Sequence, residues 1–162
     1  MNLLVMGVSG SGKTTIGRLL ADRLSLPFYD ADDFHSAANQ QKMKSGQPLT
    51  DADRQPWLLQ LSEHLKQMEK EGGCVLACSA LTQSYRTLLF SGLDPEATHL
   101  IYLKGDQAVI EERLRKRKGH YMPSTLLGSQ FDLLEEPDDA ITAEILGQPQ
   151  EITEKIVATL LR

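Results

Sequence analysis

The segment Gly7-Val8-Ser9-Gly10-Ser11-Gly12-Lys13-Thr14 satisfies the pattern GxxxxGK[ST]. Glycines let a backbone curl so that successive N–H groups point inward, and a helix start adds partial positive charge; together they hold phosphate oxygens. The pattern puts Lys13 within reach of β- and γ-phosphates and turns the Thr14 hydroxyl toward Mg²⁺, with Thr15 behind them on the helix. Residues 7–15 therefore read as a nucleotide site. Nucleotide binding alone does not say where a phosphoryl group goes.

A second set of residues could answer that. Asp30, Asp32 and Asp33 follow an apolar stretch at the carboxyl edge expected of an open α/β sheet, where such folds bind ligands. Alternation along a strand puts Asp30 and Asp32 on one face. One can reach a metal-bound water while the other accepts a hydrogen bond from an attacking hydroxyl and draws its proton. All three, Asp33 most readily, have the alternative of a solvent-exposed helix N-cap cluster. Arg54 and Arg86 stand in other loops of the same edge, and a guanidinium grips a carboxylate or phosphate with two parallel bonds. Each has an ordinary alternative as a surface salt bridge. The basic run Arg113, Arg115, Lys116, Arg117 and Lys118 suits either a helix C-terminus or an arginine-bearing lid over the nucleotide. His35 could orient a substrate or cap a helix, and His120 could line the lid or follow the terminating Gly119. Trp57, at helical spacing from Leu61, reads first as core, with a ligand wall as the alternative.

The elements that must position these groups alternate between strand and helix, the pattern of parallel βαβ construction. Leu3–Met6 is the first strand, followed by the glycine-rich turn and a helix carrying Ile16, Leu19, Leu20 and Leu24. A second strand runs through Pro27-Phe28-Tyr29 into the acidic cluster. A mostly helical stretch to about Lys70 is broken at Gly46-Gln47-Pro48 and carries Trp57, Leu58, Leu61, Leu65 and Met68 on one face. Gly72-Gly73 releases the chain into a third strand, Cys74–Cys78. A short helix with Tyr85-Arg86, a fourth strand from Thr98 to Leu103, a helix from about Asp106 to Lys118, a fifth strand from Ile141 to Leu146 and a last amphipathic helix through Ile152, Ile156, Val157 and Leu160 complete the chain. The expectation is one domain over 1–162, with segments of about 33–70 and 117–137 inserted for substrate and lid.

Composition excludes several classes. With 162 residues, 41% of them apolar, the chain can bury a core without staples, and disorder is ruled out. The balance of 17 Lys+Arg against 22 Asp+Glu, net −5, argues against nucleic acid as partner, so any anionic ligand must meet positive charge concentrated locally. No apolar run approaches the roughly 20 residues that span a bilayer, and the start has no signal-peptide pattern, which predicts a cytoplasmic protein without membrane contact. Cys74 and Cys78 lie roughly 13 Å apart on an extended strand, too far for a disulfide, and read as core thiols.

In this arrangement the chain resembles the gluconate kinases, small P-loop kinases related to shikimate and nucleoside monophosphate kinases. The resemblance rests on the phosphate loop, Asp30-Ala31-Asp32-Asp33-Phe34-His35, Asn39 with Lys42-Met43, Gly46-Gln47-Pro48-Leu49 and Asp51-Ala52-Asp53-Arg54-Gln55-Pro56-Trp57-Leu58. It continues through Cys78-Ser79-Ala80-Leu81, Tyr85-Arg86, Tyr102-Leu103-Lys104-Gly105, Arg117-Lys118-Gly119-His120 and Gln130-Phe131. It implies a three-layer α/β fold of the shikimate-kinase type, with a five-stranded parallel sheet and a lid. The implied reaction is ATP-dependent phosphorylation of the 6-hydroxyl of D-gluconate, with Mg²⁺, in a homodimer. By the same resemblance Asp30 joins Thr14 in the metal shell, and Asp32 binds the reacting hydroxyl. His35, Arg54, Ser79, Arg86 and His120 contact the sugar acid, while Lys13, Arg113 and Arg117 serve the nucleotide, Lys13 and Arg117 also catalytically.

Three positions depart from the family pattern. Ala31 replaces a common Gly, Ser36 replaces a usual Pro and predicts a looser entry to the next helix, and Ile145-Leu146-Gly147-Gln148-Pro149 lacks the usual acidic residues on the adenine side. Two other outputs would leave different marks. A P-loop switch or motor ATPase should show Asn-Lys-x-Asp and a strand ending in Asp before Gly, whereas the third strand ends in Cys78-Ser79-Ala80. Shikimate or a nucleotide as acceptor fits the first two motifs but not the Asp-Arg-x-Pro-Trp or Cys-Ser-Ala-Leu blocks.

Overall fold

A computed structural model of the chain describes residues 1–116 and 124–162. The strands are β1 (Asn2–Met6), β2 (Phe28–Asp30), β3 (Val75–Ala77), β4 (Thr98–Lys104) and β5 (Ile141–Glu144), all parallel in the order β2-β3-β1-β4-β5. The helices are α1 (Lys13–Leu24), α2 (Ala37–Lys44), α3 (Asp51–Lys70), α4 (Gln83–Phe90), α5 (Gln107–Lys116), α6 (Ser124–Leu133) and α7 (Pro149–Leu160), with a 3-10 turn over Ala31–Phe34.

Strand alternation divides the core. Leu3 and Val5 of β1 face Ile16 and Leu20 of α1, Ile110 of α5 and Ile156 of α7, while Leu4 and Met6 face Leu61 and Leu65 of α3 and Leu89 of α4. The sheet is thus covered on both faces, which is why its strands read as continuous apolar runs. Register pins the centre: Leu4 pairs with Leu76 on one side and Leu100 on the other. Cys74 and Cys78 flank β3, buried and free, and burial pushes both thiols up to about 12, so they stay protonated as core residues.

Two local expectations change. Ser36 does not loosen the entry to α2: its hydroxyl accepts from Asn39 N at 3.1 Å and caps the helix, a role Pro could not fill. Residues 124–133 form a helix that apolar periodicity did not reveal. Its Leu127 reaches the core beside α5.

Candidate active site

The phosphate loop hangs between the end of β1 and the start of α1. Gly12 adopts φ 98°, a left-handed conformation that side chains resist, and enters α1 without any side-chain cap. No cap side chain covers this end of α1, where the partial positive charge of a helix start favours an anion. At Gly7 a Cβ would come within 2.5 Å of Ser11 Oγ and 3.0 Å of the Leu103 carbonyl, so only glycine allows the curl to close. Lys13 Nζ donates to the Val8 carbonyl at 3.0 Å, inside the loop.

Carboxylates meet this loop from β2. Thr14 Oγ1 donates to Asp30 Oδ2 at 3.2 Å, and Asp30 Oδ1 accepts the Asp32 N–H at 3.0 Å. That second bond corrects the expected strand geometry. β2 ends at Asp30, and Asp32 belongs to the 3-10 turn that Asp30 caps, so the turn rather than alternation brings the two carboxylates together. Asp32 is open to water in the cavity yet set among protein atoms. Lost hydration pushes its carboxyl above the usual range, Asp30 and Asp33 add to the rise, and Lys13 opposes it.

Opposite the loop stands a wall from α2, α3 and α4. His35 stacks on Trp57 with ring centres 3.9 Å apart and planes 16° from parallel, and Trp57 Nε1 donates to the Ala31 carbonyl at 2.7 Å. Trp57 is thus core, as its spacing implies, and cavity wall as well. Burial first, then the Arg54 charge, lowers His35 to about 4, so the imidazole is neutral near pH 7. Arg54 donates to Tyr85 Oη at 3.0 Å, and Tyr85 Oη donates to Asp51 Oδ1 at 2.6 Å. Asp53, bonded by Lys42 at 2.7 Å and by the Thr50 N–H at 2.9 Å, has its carboxyl lowered to about 2.

One cavity of about 570 Å³ joins these parts; Ser9, Gly10, Gly12, Lys13, Thr14, Asp30, Asp32, His35, Arg54 and Ser79 all line it. Gly7, Val8 and Ser11 are buried beneath the loop, Asp33 lies exposed on the turn, and Thr15 lies exposed on α1. Arg113 does not line the cavity; it donates to the Ile145 carbonyl and ties α5 to the chain after β5. Arg117 and His120, with Lys118 and Gly119, lie outside the described residues.

Arg86 is placed differently from its expected role. It is 2% exposed, with Nη1 donating to the Ala80 carbonyl at 2.8 Å and Nη2 to the Glu135 carbonyl at 2.9 Å. Adjacent helical residues point about 100° apart. Tyr85 therefore takes the cavity side of α4, and Arg86 is driven between helix and sheet. Two contributors carried no role in the sequence reading: Tyr85, which holds Arg54, and Gln130, whose Oε1 accepts the Ser9 N–H at 2.7 Å. Both sit inside segments quoted for the resemblance, but nothing in their spacing marks the contact they make.

A parallel sheet of this order, with a phosphate loop after its central strand and carboxylates facing it across one cavity, defines a P-loop phosphotransferase. Comparison with known proteins agrees. The family model "Shikimate kinase" matches residues 9–161. A probable gluconokinase of Xenopus tropicalis is 45% identical over 151 residues, covering 85% of this chain and 80% of the relative. The gluconokinase of Gluconobacter oxydans is 43% identical over 159 residues, covering 96% and 88%. The crystal structure of a gluconokinase from Sinorhizobium meliloti superposes with a TM-score of 0.91 at 38% identity, covering 99% of this chain and 91% of that one. The chain belongs to the shikimate kinase family and, through relatives similar over most of its length, to the gluconokinases.

Proposed function

We propose that the protein transfers the γ-phosphoryl group of ATP to the 6-hydroxyl of D-gluconate, giving 6-phospho-D-gluconate and ADP. The observation that carries the reading is that the phosphate loop and the wall of Asp32, His35, Arg54 and Ser79 line one cavity, in a chain 40% identical or more to several gluconokinases. The loop amides and Lys13 bind the triphosphate. Arg54 pairs with the sugar-acid carboxylate, its head held by Tyr85, and Ser79 and the neutral His35 offer hydrogen bonds to the polyol. Asp32 accepts the hydrogen bond of the attacking hydroxyl and aligns it with the terminal phosphorus. Its raised carboxyl makes it a better proton acceptor than an ordinary aspartate.

The donor set suits Mg²⁺: a hydroxyl and a carboxylate oxygen, Thr14 Oγ1 and Asp30 Oδ2, stand side by side at the loop, and Mg²⁺ takes few protein ligands besides phosphates and water. When bound, the ion neutralises phosphate charge. Arg117 and His120, outside the described residues, belong to this reading as lid groups, Arg113 would serve the nucleotide only by leaving the Ile145 carbonyl it now bonds, and Arg86 supports the sugar-acid side by holding the Ala80 carbonyl next to Ser79. A homodimer in the cytoplasm belongs to the same proposal; light scattering of the purified protein tests the dimer.

The test is ADP formation from Mg·ATP over a panel of sugar acids and shikimate. Rapid turnover with D-gluconate and slow turnover with water or shikimate is the expected result. Equal ADP release with and without acceptor would remove the kinase reading.

A further inference from the structure

His35 carries one proton on two ring nitrogens, and which nitrogen holds it decides what the ring offers a ligand. No protein group among the described residues pairs with Nε2, whereas Nδ1 faces Asn39 Nδ2 at 3.4 Å. That contact alone does not orient the proton, because a side-chain amide can be turned either way. A second bond of the same nitrogen does. Asn39 Nδ2 also donates to the Asp53 carbonyl at 2.9 Å, and a carbonyl can only accept. Turning the amide would set two oxygens against each other, so an N–H must face the ring. A hydrogen on Nδ1 would then meet that N–H head on.

The frame around the pair is tightly held. Asp53 belongs to the capping box of α3 with Thr50 and is bonded by Lys42. Ser36 caps α2 through the Asn39 backbone, and the stack on Trp57 sets the plane of the imidazole. The ring is 7% exposed and faces the cavity. Because it is neutral, tautomer rather than charge determines its hydrogen bonding.

We propose that Asn39 is a positioning residue that keeps the His35 proton on Nε2, making the ring a hydrogen-bond donor to an acceptor oxygen of the sugar acid. The tautomer follows from this geometry alone; the identity of the acceptor rests on the function proposed above. Asn39 thereby contributes to specificity without touching substrate. A ligand presenting an oxygen lone pair to Nε2 is favoured, and one presenting only an N–H donor there is refused.

The test is ¹⁵N NMR of the imidazole nitrogens, with the His35 signals identified by their loss in His35→Gln. In the unaltered protein Nδ1 should resonate as an unprotonated nitrogen and Nε2 as a protonated one; the reverse pattern overturns the proposal without any variant. In Asn39→Asp the new carboxylate should draw the proton to Nδ1, and the KM for the sugar acid should rise about tenfold while that for ATP stays within about twofold. An unmoved proton in a folded Asn39→Asp, or in Asn39→Ala a single tautomer identical to the parent, also overturns it. A swapped tautomer with unchanged sugar-acid KM would overturn the contact with substrate, and with it that part of the proposed function, separately from the tautomer.

Discussion

The backbone N–H of Ser9 donates to Gln130 Oε1 at 2.7 Å, joining the phosphate loop to α6 across 121 positions of chain. A phosphate oxygen seated in the loop wants the same donor. Gln130→Leu removes that competitor, and ADP affinity measured by calorimetry should tighten by roughly 1 kcal/mol, about fivefold. Weaker binding would instead put Gln130 among the groups that hold the nucleotide.

In the proposed reaction Asp32 serves the acceptor and Lys13 the nucleotide, and both line one cavity. Asp32→Asn should lower kcat by about 10²- to 10⁴-fold with ATP affinity nearly unchanged. The raised carboxyl adds a pH signature, since the proposed role requires the ionised form. The acid limb of the kcat/KM profile should therefore begin above the ordinary aspartate range of about 3.9 and disappear in the variant. An equal fall in ATP binding and turnover would show that the side chain serves the nucleotide.

Arg54 and Arg86 separate cleanly. Arg54→Met removes a cation that is 19% exposed on the cavity wall, and should raise the sugar-acid KM tenfold or more, roughly 1.5–3 kcal/mol, with less change in Tm than the loss of Arg86. Arg86→Met leaves the buried Ala80 carbonyl and the partly covered Glu135 carbonyl without their donors, and should cost roughly 1–3 kcal/mol of stability. Thermal unfolding and steady-state kinetics on the two variants check the contrast.

Acid should unfold the protein partly through His35. Its value is about 4 when folded and returns to 6.5 on unfolding, so the unfolded chain binds more protons between those limits. Stability is present above pH 6.5 and is lost as pH falls toward 4, by roughly 2 kcal/mol at pH 5. His64 is lowered in the same direction and adds to the loss. Asp53, at about 2, contributes stability above its unfolded value of 3.8 that disappears below it. Denaturant titrations at pH 7 and pH 5 should show the loss, reduced in His35→Gln.

The phosphate loop was legible because its chemistry is local: glycines, Lys13 and Thr14 must follow one another for the backbone to curl around an anion. The alternation of strands and helices was equally legible, since a sheet covered on both faces demands apolar runs between amphipathic ones. Those features set the parallel architecture and the edge where ligands bind. Asp30 and Asp32 were read as neighbours for the wrong local reason, because a cap and a 3-10 turn override strand alternation at the end of β2.

What no spacing could convey is which side of a short helix meets the cavity. In α4 Tyr85 faces the site and Arg86 is buried, and the choice depends on how the helix packs against β1 and the chain after α6. The contacts of Gln130 with Ser9, and of Asn39 with both His35 and Asp53, likewise need three elements brought together. Sequence alone determined the phosphate grip and the alternation of strands and helices, because each follows from neighbours along the chain. Tertiary structure decided the cavity wall opposite the loop, because hydrogen-bond partners far apart in sequence must be satisfied at once.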